Sequence, residues 1–160
     1  MTAPPNETRL IAIGSHHGDD QIGWVIADCL LQRHGRICDI RKATVPMDVL
    51  NWLDGVHTLH IVDACQGPHD NGHLHRWEWG ELPVFCDTML HTGSHDFDVL
   101  AVLRLAERLH KLPAHVVIWG IQGNHFGPLD SLSVTIVQRL PEIVETIANE
   151  CVGVTNTTDR

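Results

Sequence analysis

Arg9-Leu10-Ile11-Ala12-Ile13-Gly14-Ser15-His16-His17-Gly18-Asp19-Asp20-Gln21-Ile22 decides how this chain is read. Its first five residues are a short apolar run stopped by Gly14, which predicts a buried strand. A polar loop, Ser15 to Asp19, follows. From Asp20 to His34 the apolar residues Ile22, Val25, Ile26, Cys29 and Leu30 recur every three or four positions, one face of a helix, and Gly35 supplies a stop signal. Strand, loop and helix in this order are the opening of a parallel α/β unit.

The rest of the chain continues the pattern. Strands are predicted over Ile37–Val45 and His57–Val62, the latter ending at Asp63, with a short helix over Met47–Leu53 between them. Gly67–Gly72 is turn-rich, and His73–Trp79 alternates as an antiparallel edge strand would. An amphipathic helix is predicted from Asp96 to His110, an apolar strand over His115–Ile121, and a last helix over Ser133–Asn149, with Leu132-Ser133 as its N-cap and Pro141 as a division or kink. The fold class expected is α/β: a three-layer sandwich, its mostly parallel twisted sheet covered by helices on both faces. Residues 1–160 read as a single domain, with 1–8 and 152–160 as flexible tails.

Composition narrows the function. Of 160 residues 43% are hydrophobic and 19% charged, the balance of a well-cored globular domain. Lys+Arg 11 against Asp+Glu 20 gives a formal charge of -9, and no basic stretch is dense enough to grip phosphates, so nucleic acid and anionic membrane surfaces are not expected partners. No segment has the apolar length of a membrane span, and Met1–Glu7 lacks the regions of a signal peptide, so a cytoplasmic protein is expected. Cys29, Cys38, Cys65, Cys86 and Cys151 are an odd set without C-x-x-C spacing, which argues against a disulfide framework or zinc ribbon. Thirteen histidines against no tyrosine raise the prospect of transition-metal chemistry.

In parallel α/β sheets ligands gather beyond the carboxyl ends of the strands. Three polar segments sit there or at a helix entrance: Gly14–Asp20, Asp63-Ala64-Cys65 and Gly93-Ser94-His95-Asp96. Two carboxylates and an imidazole from separate loops suit a divalent metal, although spacing leaves zinc, nickel and iron equivalent. Each has a structural alternative. Asp19 or Asp20 could cap the first helix, Asp63 could satisfy turn amides, and His95 could cap its own helix. His16 and His17 read as lining the loop. His69, His73 and His75 form a second cluster, read as a solvated hairpin with adventitious metal capacity. Cys65 reads as a small buried side chain rather than a nucleophile, and Trp77 and Trp79 as core cover or a protein contact.

The ordered set Gly14, Gly18-Asp19-Asp20, Gly23, Ile61-Val62-Asp63-Ala64, Ser94-His95, Val99-Leu100, Val117–Gln122, Leu132-Ser133 and Val137 resembles the hydrogenase maturation endopeptidases, from about Leu10 to Ile147. These proteases remove a C-terminal extension from the large subunit of nickel-iron hydrogenases. The resemblance implies that Asp20, Asp63 and His95 coordinate metal, with Asp20 and Asp63 as catalytic carboxylates. It implies substrate-borne nickel as the ion, for which zinc or cadmium could substitute in a crystal, and the large-subunit precursor as the partner. Either the metal activates carbonyl or water, or it docks the substrate while Asp20 or Asp63 acts as general base. Asp19 then shapes the loop or the helix entrance. The chain departs from the family pattern at Ser15, where Asn is usual and the loop is one residue longer, at Gln21 for glycine and at Gly123 for proline. Those departures keep two other readings in view: a non-catalytic nickel-binding checkpoint protein, and a metal-dependent small-molecule hydrolase on the same fold.

Overall fold

The computed structural model describes residues 7–81, 99–128 and 130–153. Five strands form one sheet: β1 (Glu7–Ile13), β2 (Asp39–Ala43), β3 (Val56–Cys65), β4 (Leu74–Glu78) and β5 (His115–Gln122). Their spatial order is β2-β1-β3-β5-β4. The first four in that order run parallel, and β4 pairs antiparallel with β5 at the edge, as its alternating pattern predicted. The described helices are α1 (Ile22–His34), α2 (Val99–Arg108) and α3 (Val134–Gly153).

Strand alternation divides the core into two layers. On one face Ile11, Ile13, Leu59, Ile61 and Ile118 pack against Val99, Leu100, Leu103 and Ala106 of α2 and against Val49 and Leu53. On the other, Leu10, Ala12, Val62, Trp119 and Ile121 pack against Ile22, Ile26 and Leu30 of α1 and Ile136, Ile143, Val144 and Ile147 of α3. The central strands are therefore apolar on both faces, which is why they read as continuous hydrophobic runs. The three-layer α/β expectation holds.

The differences are local. Glu7 and Thr8 belong to β1 rather than to a tail: buried Arg9 is held by Glu7 (2.9 Å), Asp39 (2.7 Å) and the Trp52 carbonyl (2.7 Å), which ties the strand start to its neighbours. At the other end α3 continues through Val152 to Gly153, because Cys151 is still core; residues 1–6 and 154–160 lie outside the described residues. β3 runs two residues past Asp63, since Ala64 and Cys65 find partners in Ile121 and Gln122 of β5. The segment after β2 is a 3-10 helix, Pro46–Trp52, opened by a proline whose missing N–H costs nothing at a helix start. Pro141 sits inside α3 without ending it. Cys29, Cys38, Cys65 and Cys151 are free thiols, and no helix among the described residues is long and apolar enough to cross a membrane.

Candidate functional site

β1 has β2 on one side and β3 on the other, so the chain reverses its winding direction at β1. A crevice opens between the carboxyl ends of strands at such a point. The residues that line it come from the loop after β1 and from the end of β3. A 3-10 turn, Gly18–Gln21, leads directly into α1 there. The helix is seated deeply because Gly23 lacks a side chain: a Cβ on it would lie 2.3 Å from the Ile13 carbonyl oxygen and 3.1 Å from that of Val62. Gly23 thus brings the acidic turn down onto the ends of both strands.

Asp20 and Asp63 meet across this junction. Asp20 is 5% exposed and Asp63 3%. Burial pushes the Asp63 carboxyl well above the usual carboxylate range, and the charge of Asp20 pushes it further, against a hydrogen bond of 2.8 Å from the Ala64 N–H. Ser15 donates its hydroxyl to Asp20 Oδ2 at 2.6 Å. A buried carboxyl driven toward protonation by a second carboxylate is a pair able to share a proton or to receive a cation, either of which relieves the repulsion. His95 lies outside the described residues, as does Cys86.

Asp19, next in sequence to Asp20, does something different. Its side chain is fully buried and accepts four hydrogen bonds: from the N–H groups of Asn124 and His125 (both 3.0 Å) and from the N–H (2.8 Å) and hydroxyl (2.7 Å) of Ser133. Burial opposes its ionisation, but these donors win and hold the carboxyl below its ordinary value. Asp19 is a clamp that joins the turn before α1 to the loop after β5 and to the start of α3. Ser133, predicted as an N-cap, turns its hydroxyl to this clamp. The sequence carries no signal for such pairings, because the partners stand 105 to 114 positions away.

The three departures from the family pattern have structural roles around these acids. Ser15 holds Asp20. Gln21 donates to the carbonyls of Gly18 (3.0 Å) and Asp130 (3.2 Å), which anchors the turn. Gly123 donates its N–H to the Cys65 carbonyl at 3.0 Å, a bond proline cannot make, and a Cβ there would sit 2.6 Å from Asp19 Cβ. His16 and His17 are exposed loop residues. Cys65 is fully buried, and Trp77 and Trp79 pack against the core.

Of the three histidines read as a solvated hairpin, His69 is exposed as expected. His73 and His75 are half-buried, and the donor nitrogens of the three all lie within 4.8 Å of one another. His75 is held below the ordinary imidazole value by burial, opposed by a hydrogen bond with Gln122 and aided by the two neighbouring imidazoles.

Three solved structures share this architecture. The hydrogenase maturating endopeptidase HybD from Escherichia coli aligns with a TM-score of 0.71 at 17% identity, over 88% of this chain and 89% of that one. An endopeptidase from Escherichia coli, solved in solution, aligns with a TM-score of 0.78 at 17% identity, over 96% and 99%. The [NiFe] hydrogenase maturation protease HycI from Thermococcus kodakarensis gives 0.65 at 16% identity, over 92% and 93%. At these identities the likeness establishes the fold. No curated protein matches the sequence. A family model, HycI hydrogenase maturation protease, matches residues 39–150, which include Asp63 and His95 and exclude Asp20. That match spans well over half of the chain, and with the shared fold it makes this protein a member of the hydrogenase maturation protease family, an endopeptidase of hydrogenase maturation.

Proposed function

We propose that this endopeptidase removes the C-terminal extension of a nickel-iron hydrogenase large-subunit precursor once nickel has been inserted, and that Asp20, Asp63 and His95 recognise the nickel carried by that precursor. The observation that carries the reading is the Asp20–Asp63 pair: two nearly buried carboxyls at the switch point of the sheet, Asp63 pushed toward protonation by burial first and by the charge of Asp20 second. A cation brought by the partner opposes the desolvation and repulsion that raise Asp63, so the site favours a metal-loaded partner over an empty one. Docking then orients the scissile amide, and a carboxylate of the pair accepts the proton of the attacking water. The Ser15 hydroxyl fixes the Asp20 carboxylate for this work.

The test is mass spectrometry of a nickel-loaded and a nickel-free large-subunit precursor before and after incubation with the protein. Loss of the C-terminal fragment from the nickel-loaded form alone, abolished by Asp63→Asn, Asp20→Asn or His95→Ala, is the expected result. Equal cleavage of both forms would remove nickel recognition. Unchanged cleavage by all three variants would remove the site.

A further inference from the structure

The histidine cluster lies at the same edge of the sheet but is a separate structure. His73 precedes β4 and His75 is its second residue, so period-two alternation puts both rings on one side of the strand. The turn at 67–72 folds His69 back onto them. The His69 and His73 rings stack with centroids 4.3 Å apart, His73 and His75 lie 4.5 Å apart, and His69 and His75 5.1 Å.

Gln122, at the end of β5 and 2% exposed, organises the group. Its Nε2 donates to the carbonyls of Gly67 and His69, so its Oε1 can only accept, and Oε1 stands 3.3 Å from His75 Nε2. His75 must therefore carry its proton on Nε2, which leaves Nδ1 with a free lone pair. An imidazole whose second nitrogen donates to a buried oxygen is the arrangement that orients a histidine for a metal. The backbone reinforces it: Gly72 N–H donates to the Gln122 carbonyl at 2.7 Å, and Gln122 N–H to that of His73 at 3.0 Å.

The geometry points to a three-imidazole site in which His69, His73 and His75 hold a divalent transition-metal ion of the zinc, nickel or copper class. Neutral imidazoles select such ions over magnesium or calcium. Tetrahedral coordination at a metal–nitrogen distance of 2.0–2.1 Å sets the nitrogens about 3.3 Å apart, so donors already within 4.8 Å need to draw together by about 1.5 Å at most, and the exposed His69 ring, stacked 12° from the plane of His73, has to turn to aim its lone pair at the same ion. His69 is exposed, which gives the ion an entry path and leaves its remaining position open to water or to a partner's donor. The site is distinct from the carboxylate pair. His75 and Asp63 are both in register with Gly120, on opposite sides of β5, so they are two strand spacings apart, about 9.5 Å. The Trp77 ring and Cys65 Sγ close over Gly120 between them.

Zinc chloride is titrated calorimetrically into the tag-free, chelator-stripped full chain, with histidine ring nitrogens followed by NMR. The expected result is one equivalent of zinc that shifts the His69, His73 and His75 rings, with His75 bound through Nδ1. His69→Ala, at an exposed position, should weaken that equivalent at least 10-fold, and His73→Ala combined with His75→Ala should abolish it, while Asp63→Asn leaves it in place. Retention of the equivalent by both histidine variants, with melting curves like the wild type, would overturn the proposal. So would ring shifts confined to other histidines. Because Asp63→Asn disables the proposed cleavage site and spares this one, the two readings fail independently.

Discussion

Asp19 and Asp20 are chemically identical neighbours with opposite tasks. Asp19 gathers four donors from two other segments, and its depressed value means stability that is present above the unfolded pKa near 3.8 and is lost as pH falls through the folded one. Asp19→Asn keeps one acceptor oxygen but sets an NH2 against either the Ser133 N–H or the N–H groups of Asn124 and His125, and it removes the charge all of them share; it should cost roughly 1–3 kcal/mol by urea unfolding. Asp63 behaves the other way. Keeping it in the fold is a burden at neutral pH, one that shrinks as pH falls below its raised folded value and is gone below the unfolded value near 3.8. Asp63→Asn keeps the acceptor for Ala64 N–H and removes the charge. It should therefore abolish processing yet raise the melting temperature at pH 7, by about 2–4 °C per kcal/mol relieved, with the gain shrinking on acidification. A melting temperature that falls would show that Asp63 is a structural anchor. Sequence spacing gave both aspartates the same credentials; the distinction comes from which donors the fold brings to each.

At the scale of the element, α1 shows two rules in conflict. Glycine within a helix is worth about 1 kcal/mol less than alanine, so Gly23→Ala should stabilise on propensity alone. Here the new methyl meets the Ile13 oxygen at 2.3 Å and that of Val62 at 3.1 Å, backbone atoms of two central strands that cannot yield as a side chain would. Gly23→Ala should therefore destabilise by roughly 1–3 kcal/mol in denaturant titration, and should slow processing because α1 lifts the acidic turn off the strand ends. The helices and strands were legible from period and punctuation, down to the antiparallel edge strand β4. Their limits were less so. β3 extends through Cys65 because β5 is there to pair with it, and Pro141 is accommodated within α3, whose residues on either side, Ile136 and Ile143, are both buried in one core layer.

The molecule as a whole carries a buried pH-sensitive group that no motif marks. His60, on β3, is fully buried, accepts a hydrogen bond of 3.1 Å at Nδ1 from Trp119 Nε1, and has its pKa lowered to about 4, by burial first and by Arg76, against the opposing charge of Glu150. Above pH 6.5 this costs nothing, since folded and unfolded chains both hold the neutral ring. Between about 6.5 and 4 the unfolded chain takes up a proton that the native chain refuses, and stability falls by up to about 3 kcal/mol. His60→Asn, which keeps an acceptor near Nδ1, should flatten the decline of unfolding free energy between pH 6.5 and 4. An equally steep decline in the variant would assign it to other groups.

What the sequence by itself determined is the architecture and the family: apolar runs long enough for doubly covered strands, amphipathic helices between them, and an ordered set of glycines and acids at strand ends. Those are local patterns, written by the requirement that each element bury one face or both. What only the tertiary structure decided is which polar groups meet. Asp19 reaches Ser133, Ser15 turns to Asp20, Asp63 is raised by a neighbour 43 positions earlier in the chain, and Gln122 sets the tautomer of His75 from another strand. Hydrogen bonds and charge interactions act over a few ångströms in space with no period along the chain, so their partners come into view only when the chain is folded.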